Sequence, residues 1–306
     1  MRVLIVCSGN AQVIAPFIVE QVNALKKLDV EIEYFLIKGK GILGYIKNYK
    51  ALLQKIASFQ PNIIHAHYGF SGLLSIFQRR IPVVVTFHGC DIQKRGVNNI
   101  ISNFVFYLAN SSIFVNSKML NFVIFKKKHT IISCGIDLDE YQYISKEEAR
   151  KNLRFSDKEK LVLFSSSFDE PVKNYDLAKK AVEKLENIKL LELKGYKREE
   201  VIQLMHAVDC LLITSIRETG PQVVKEALMC GCPIISVDVG DVKSLIEQVA
   251  GCFIVPYDEN IIAEKISLVF QNNNRIKGRE VIIEKELYNS VIAKKIKDIY
   301  TQILNK

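Results

Sequence analysis

Glu218 and Glu226 stand eight positions apart in the stretch Ser215-Ile216-Arg217-Glu218-Thr219-Gly220-Pro221-Gln222-Val223-Val224-Lys225-Glu226-Ala227-Leu228-Met229-Cys230-Gly231-Cys232-Pro233. A carboxylate accepts two hydroxyl hydrogen bonds, which suits the vicinal diol of a ribose or a sugar. Gly220 has no Cβ and lets a backbone come close to a ligand. Pro221 is a favoured first helical residue and predicts a helix over 221–229, after a strand ending at Thr214. The N–H groups of such a first turn hold a phosphate or sugar oxygen. The bland alternative is a solvated helix with incidental acids.

Other candidates are histidines. His88 lies just past residues 81–87, a β-branched, uncharged run that reads as a buried strand, and so falls at a sheet's C-terminal edge, where ligands bind. Gly89 and Asp91 flank it. His65 and His67 project from the same face of their strand. No third ligand joins them, so packing or acceptor contacts is the reading, not a metal pair. The seven cysteines are odd in number and irregular in spacing. They fit reduced, buried thiols in a cytosolic protein. Cys230 and Cys232 lack the second pair a zinc site needs. No Asp-x-Asp metal motif is read in the chain, so no metal is expected.

These residues must be held by a larger framework. A chain of 306 residues is about twice a typical domain. Its 49% hydrophobic and 25% charged content suits two ordinary cores and argues against disorder. Short apolar runs alternate with helix-period segments. Strands are read at 3–7, 31–37, 62–65, 81–87, 113–115 and 130–133, with helices at 16–28 and 45–59 among them. After a polar stretch, 145–160, the pattern begins again. Strands follow at 161–165, 189–193, 210–214, 233–237 and 251–255, with helices at 174–185, 198–207 and 221–229, and a mostly helical tail over 261–304. Such alternation implies right-handed βαβ units and parallel sheets, hence two Rossmann-like halves. Two doubly wound domains in tandem face each other across a cleft suited to a nucleotide-sugar.

The opening run, residues 1–10, is too short for a signal peptide's apolar core. The longest apolar window, 100–115, is interrupted by Ser102, Asn103, Asn110, Ser111 and Ser112. The expectation is a soluble or peripheral protein. The net charge of +9 can serve an anionic bilayer or a phosphorylated substrate. Only Lys126-Lys127-Lys128 is a dense basic run, and no nucleic-acid motif accompanies it.

The stretch around Glu218 and Glu226 resembles the E-x7-E signature of retaining GT-B glycosyltransferases of family four, S-x-x-E-G-x-x-x-x-x-x-E-A-x-x-x-G-x-P. Ser215, Glu218, Glu226, Ala227, Gly231 and Pro233 match. Thr219 stands at the usual Gly, with Gly220 displaced by one. Asn62-Ile63-Ile64-His65-Ala66-His67 is similar to the family's D-x-x-H-x-H strand end. Thr86-Phe87-His88-Gly89-Cys90-Asp91 resembles its T-x-H-G-x-D segment. Asn116-Ser117-Lys118 and Gly135-Ile136-Asp137 look like its S-x-S-K turn and its G-V-D connection. The resemblance runs from about residue 1 to about 260.

It implies an N-terminal acceptor-side domain over 1–143, a nucleotide-sugar domain over 144–285 and a helix over 286–306 that crosses back to the first domain. It implies that Glu226 holds the donor ribose. The first-turn region, with Thr219, Gly220, Pro221, Gln222 and Val223, binds the donor, and Glu218 and His88 position the transferred sugar. Lys173 fits the Lys of the family's G-R-L-x-x-x-K segment, but its Arg position holds Phe168. Lys173 is then the diphosphate cation, with Arg217 as a second candidate. Gly9-Asn10 stands where longer relatives have a di-glycine loop, and with His67 and Asp91 marks the acceptor side. The implied activity is sugar transfer to a glycan or lipid-linked glycan in cell-surface polysaccharide synthesis. No cofactor is implied beyond the nucleotide-sugar co-substrate. The implied place is the cytoplasm, with a possible peripheral hold on an anionic membrane surface. The rivals are a GT-B nucleotide-sugar 2-epimerase and a non-catalytic sugar-binding or partner subunit.

Overall fold

The computed structural model describes residues 1–11, 14–39, 41–93 and 96–305. It divides into two compact units, Met1–Gly135 with Leu287–Lys306, and Ile136–Glu286.

The first unit is built on strands β1 (Arg2–Ser8), β2 (Glu31–Ile37), β3 (Ile63–His67), β4 (Val83–Phe87), β5 (Ser111–Phe114) and β6 (Thr130–Ile131). Their order is β2-β1-β3-β4-β5-β6, and every described pairing is parallel. A parallel sheet is covered on both faces, so its strands are apolar on both sides. In β1, Leu4 and Val6 enter one core while Val3, Ile5 and Cys7 enter the other. The second core also takes Ile292, Ala293, Ile296, Ile299 and Tyr300 of the helix Asn289–Leu304. That is why the chain's last helix belongs to its first unit.

The second unit holds β7 (Lys160–Phe164), β8 (Ile188–Glu192), β9 (Cys210–Ile213), β10 (Ile234–Val237) and β11 (Phe253–Val255). The order is β11-β10-β9-β7-β8, again parallel. In each sheet the winding reverses once, between β1 and β3 and between β7 and β9. Such reversal points are where open α/β sheets bind ligands.

Several elements differ from the sequence expectation. Residues 45–59 form two helices, Gly41–Ile46 and Tyr49–Phe59. Between them the Asn48 side chain donates to the carbonyls of Lys38 and Gly44 at 2.8 and 2.7 Å, competing with a continuous helix. The helix Gly69–Ile76 has no sequence counterpart, because its glycines weaken the helical signal. They serve close packing instead: a Cβ on Gly69 would collide with Ser102, and one on Gly72 would lie 2.6 Å from Val105 Cγ1. The interrupted window 100–115 resolves into the helix Val97–Leu108 followed by β5. The polar stretch 145–160 contains the helix Lys146–Leu153, capped by Ser145 Oγ accepting from the Glu148 N–H at 3.1 Å.

The first unit ends at Gly135, short of the boundary expected at 143. Arg279 explains the shift. Its guanidinium donates to the carbonyls of Tyr141 and Leu138 at 2.9 and 3.0 Å, holding the connection on the second unit.

Candidate functional site

In the second unit the chemistry gathers at the C-terminal ends of β7 and β9, the two strands at the winding reversal. Lys173 closes a 3₁₀ turn, Pro171–Lys173, after β7. The buried Thr214 hydroxyl follows β9 and reaches the carbonyls of Lys173 and Asn174, both at 2.9 Å. The Ile216 N–H donates to the Val172 carbonyl at 2.9 Å. These bonds stitch the two loops together and fix the Lys173 backbone. Its ammonium then meets Glu218 Oε1 at 2.5 Å, and the Ser215 hydroxyl donates to the same oxygen at 2.9 Å. A cation and a carboxylate are thus held ready on one rigid patch. Gly240, in the loop after β10, adopts φ +60°, where a Cβ would sit 2.8 Å from the Thr219 carbonyl. The backbone before Gly220 is therefore hemmed in.

The helix of the motif starts at Gln222, not Pro221. Pro221 is its cap, extended at ψ 116°. The Val224 N–H already donates to the Pro221 carbonyl at 3.1 Å. Since proline has no N–H, the first backbone N–H groups of this helix are those of Gln222 and Val223.

Glu226 is buried on this helix and bonded to the guanidinium of Arg198. Arg198 opens the helix Arg198–Ala207. It also contacts Glu140 through Nε and Nη2 at 3.0 and 3.3 Å and lies 5.3 Å from the Tyr141 ring centroid. One guanidinium therefore holds two carboxylates and packs on an aromatic face. Sequence reasoning missed Arg198, because it lies 28 positions before its partner in an ordinary amphipathic helix. Only the fold joins them.

At the position expected to bear an arginine, the Phe168 ring stacks on Tyr175, with centroids 4.1 Å apart and planes at 28°. Its N–H donates to Glu192 Oε2 at 3.0 Å. Nearby Lys194 is paired with Asp169. Arg217 lies exposed in the motif loop and enters no ion pair among the described residues.

In the first unit, His65, His67 and His88 form a stacked series, with centroids 4.7 and 5.2 Å apart. His65 lies between Thr86 Oγ1 at 2.8 Å and Tyr300 OH at 2.5 Å, which ties the sheet to the last helix. His67 Nδ1 and His88 Nε2 are 3.0 Å apart, and His67 Nε2 is buried with no partner among the described residues. An orphaned buried N–H is the rarer and costlier arrangement. The proton therefore sits on His67 Nδ1 and is donated to His88 Nε2. His88 in turn carries its own on Nδ1, toward Cys134 Sγ at 3.9 Å. Burial pushes His67 down to about 3 and holds His88 and His65 well below the ordinary histidine range. All three rings are neutral at pH 7, and His88 is a hydrogen-bond donor through Nδ1 with its other nitrogen occupied.

The expected acceptor-side residues are largely engaged by the fold. The Asp91 carboxylate accepts from the N–H groups of Gly89, Gly69 and His88 at 2.9, 3.1 and 3.2 Å. Burial pushes it up to about 6 against those bonds. Asn10 exchanges two 2.7 Å bonds with the Gly39 backbone, and the Gly9 N–H donates to the Ile37 carbonyl at 2.8 Å. These groups shape the loops after β1 and β4.

Against the expectation of no Asp-x-Asp motif, Asp137-Leu138-Asp139 has the spacing of an acidic metal pair. Here Asp137 Oδ1 accepts from the Asp139 N–H at 3.0 Å, making a turn. Among the described residues no three His, Cys, Asp or Glu side chains converge as ion ligands. A hollow of about 860 Å³ in the second unit is lined by Leu245, Arg275 and Glu284 among others, and takes from the motif only its last residue, Pro233.

Residues 2–140 match the family described as Glycosyltransferase Family 4, and residues 184–286 match Glycosyl transferases group 1. The chain is built from glycosyltransferase domains of the group 1 and family 4 types. It is 26% identical, over 82% of its length and 78% of the relative's, to the Bacillus subtilis glycosyltransferase TuaC, whose name assigns it to teichuronic acid biosynthesis. In fold this glycosyltransferase is similar to sucrose-phosphate synthase from Thermosynechococcus elongatus, with TM-score 0.85 at 16% identity over 99% of each chain. It is also similar to Anabaena Alr3699/HepE, solved in complex with UDP-glucose, with TM-score 0.76 at 16% identity over 99% of this chain and 100% of that one. Its two parallel-sheet, Rossmann-like units are those of the GT-B fold.

Proposed function

We propose that this glycosyltransferase is a retaining enzyme that moves a sugar from a nucleotide-sugar donor to a glycan or lipid-linked glycan. The carrying observation is the Lys173–Glu218–Ser215 cluster at the winding reversal of the second sheet, a fixed cation beside a fixed carboxylate. Glu226, oriented by Arg198, accepts from the donor ribose. Lys173, helped by the amides of Gln222 and Val223, meets the charge that grows on the leaving diphosphate. Glu218 positions the transferred sugar. Retention follows from same-face attack, in which a donor phosphate oxygen takes the acceptor proton. That route needs charge stabilisation more than a protein base, and it agrees with a His88 whose Nε2 already accepts a bond. No metal enters this scheme.

The likeness to TuaC supports a place in cell-surface polysaccharide synthesis, and the UDP-glucose complex of Alr3699/HepE supports a nucleotide-sugar donor. Four of the cysteines, Cys7, Cys210, Cys230 and Cys232, are buried thiols, while Cys90 is exposed against expectation; reduced thiols of this kind favour the reducing cytoplasm.

Purified protein incubated with a panel of nucleotide-sugars, with released nucleotide as the readout, tests the reading. Release with one donor class supports it; none with any donor or acceptor refutes it. Phe168 favours a second reading, a sugar-binding partner subunit, which predicts donor binding without release.

A further inference from the structure

The helix Val97–Leu108 is built inside out. Its buried face carries Asn99, Ser102 and Asn103 beside Val105 and Phe106. Those polar groups are satisfied: Asn99 Nδ2 donates to the Ile92 and Phe122 carbonyls at 2.6 and 3.0 Å, and Ser102 Oγ to the Asp91 carbonyl at 2.8 Å. The outward face carries Val97, Ile100, Phe104, Tyr107 and Leu108, with Ile100 64% and Tyr107 57% exposed. Their spacing makes one stripe along the helix.

The stripe continues onto the following segment. Lys127 Nζ donates to the carbonyls of Phe106, Tyr107 and Ala109 at the helix end. The Ile124 N–H donates to Asn103 Oδ1 at 2.7 Å. These bonds set Ile124, 69% exposed, and Phe125, 5.1 Å from the Tyr107 ring, beside the stripe. Lys126 and Lys128 flank them, exposed. On the other side Leu108 shares a cavity of about 540 Å³ with Arg79 and Arg80. Contiguous exposed apolar surface of this kind marks an interaction site.

Charge names the occupant. The segments that carry the stripe and the cavity, residues 76–83 and 97–128, hold Arg79, Arg80, Lys118, Lys126, Lys127 and Lys128 and no acid. A second copy docked through the same surface would bring these cations against one another. We propose that this stripe, with Ile124–Lys128 and the Arg79–Arg80 cavity, docks on an anionic lipid bilayer. The apolar side chains enter the headgroup boundary and the cations meet lipid phosphates.

The inference is independent of the transfer reaction and is tested without donor or acceptor. The full chain is co-sedimented with phosphatidylcholine vesicles, with and without phosphatidylglycerol. Strong binding is expected only with the anionic lipid and falls with salt. At about fivefold per basic side chain, Arg79→Gln with Arg80→Gln weakens partition by roughly 30-fold. Ile100→Ser with Phe104→Ser weakens it by about tenfold or more, including the part that survives salt. Thermal melts check that both variants keep the wild-type fold. Equal partition to neutral and anionic vesicles, no partition, or wild-type partition of the Ile100/Phe104 variant overturns the proposal. So does a concentration-dependent dimer that the Ile100/Phe104 variant abolishes, which would place a second copy on this face.

Discussion

Lys173→Met tests the core of the site. The lysine ammonium lies 2.5 Å from Glu218 Oε1, with side-chain exposures of 20% and 13%. At an effective dielectric constant of ~20, two unit charges ~4 Å apart attract by ~4 kcal/mol. Desolvation and partial screening oppose this, so a net worth of ~1–2 kcal/mol is expected. Removing the lysine also leaves the largely buried Glu218 carboxylate on the Ser215 hydroxyl without its cation, which raises the cost of the single substitution to ~2 kcal/mol. For a unit of this size that is a fall of ~4–8 °C in Tm. Glu218→Gln in the Met background then adds little, and the double-mutant cycle yields a coupling of ~1 kcal/mol or more. Kinetically the loss is larger. In the proposed reaction Lys173 faces charge that appears as the glycosidic bond breaks, so its interaction would strengthen in the transition state. Lys173→Met lowers kcat by ~10²-fold or more while donor KM moves little. The assay is nucleotide release under saturating donor, with melts on the same preparations. Wild-type kcat in Lys173→Met would refute the reasoning and turn attention to Arg217.

Other expectations follow from the same geometry. Glu226→Gln raises donor KM with kcat nearly intact, because a ribose contact is alike in ground and transition states. Arg198→Met does the same by releasing Glu226 and also costs ~2 kcal/mol for the buried carboxylate left behind; wild-type KM and Tm would contradict it. Transfer survives chelation; loss of activity in EDTA that Mg²⁺ or Mn²⁺ restores would overturn the metal-free scheme. Near pH 5 the unfolded first unit binds protons on His65, His67 and His88 that the native rings refuse, while native Asp91, raised to about 6, holds one that the unfolded chain lacks. The net is two protons, so stability falls by ~2.7 kcal/mol per pH unit as pH drops from about 6 toward 4, and a flat Tm across that range would show the assignment wrong.

The alternation of apolar runs with helix-period segments was enough to read two doubly wound units, because a strand buried on both faces must be apolar throughout. The motif around Glu218 and Glu226 was legible for a similar reason: its residues are contiguous, so one loop and one helix start carry them all. The helix Gly69–Ile76 was not legible, since its glycines answer to Ser102 and Val105 across a packed interface and look like loop residues in one dimension. Arg198 was hidden likewise, its role fixed by Glu140 and Glu226 on either side of it in sequence and next to it only in space. The sequence also placed Asn10 and Asp91 at sheet edges but could not say that backbone amides and carbonyls would claim their side chains. What sequence determined by itself was periodicity, hence layers and the strand ends where a site forms. Which cation meets which carboxylate, which histidine nitrogen bears a proton, and which helix face stays outward depended on contacts between distant segments, and only the tertiary structure decided them.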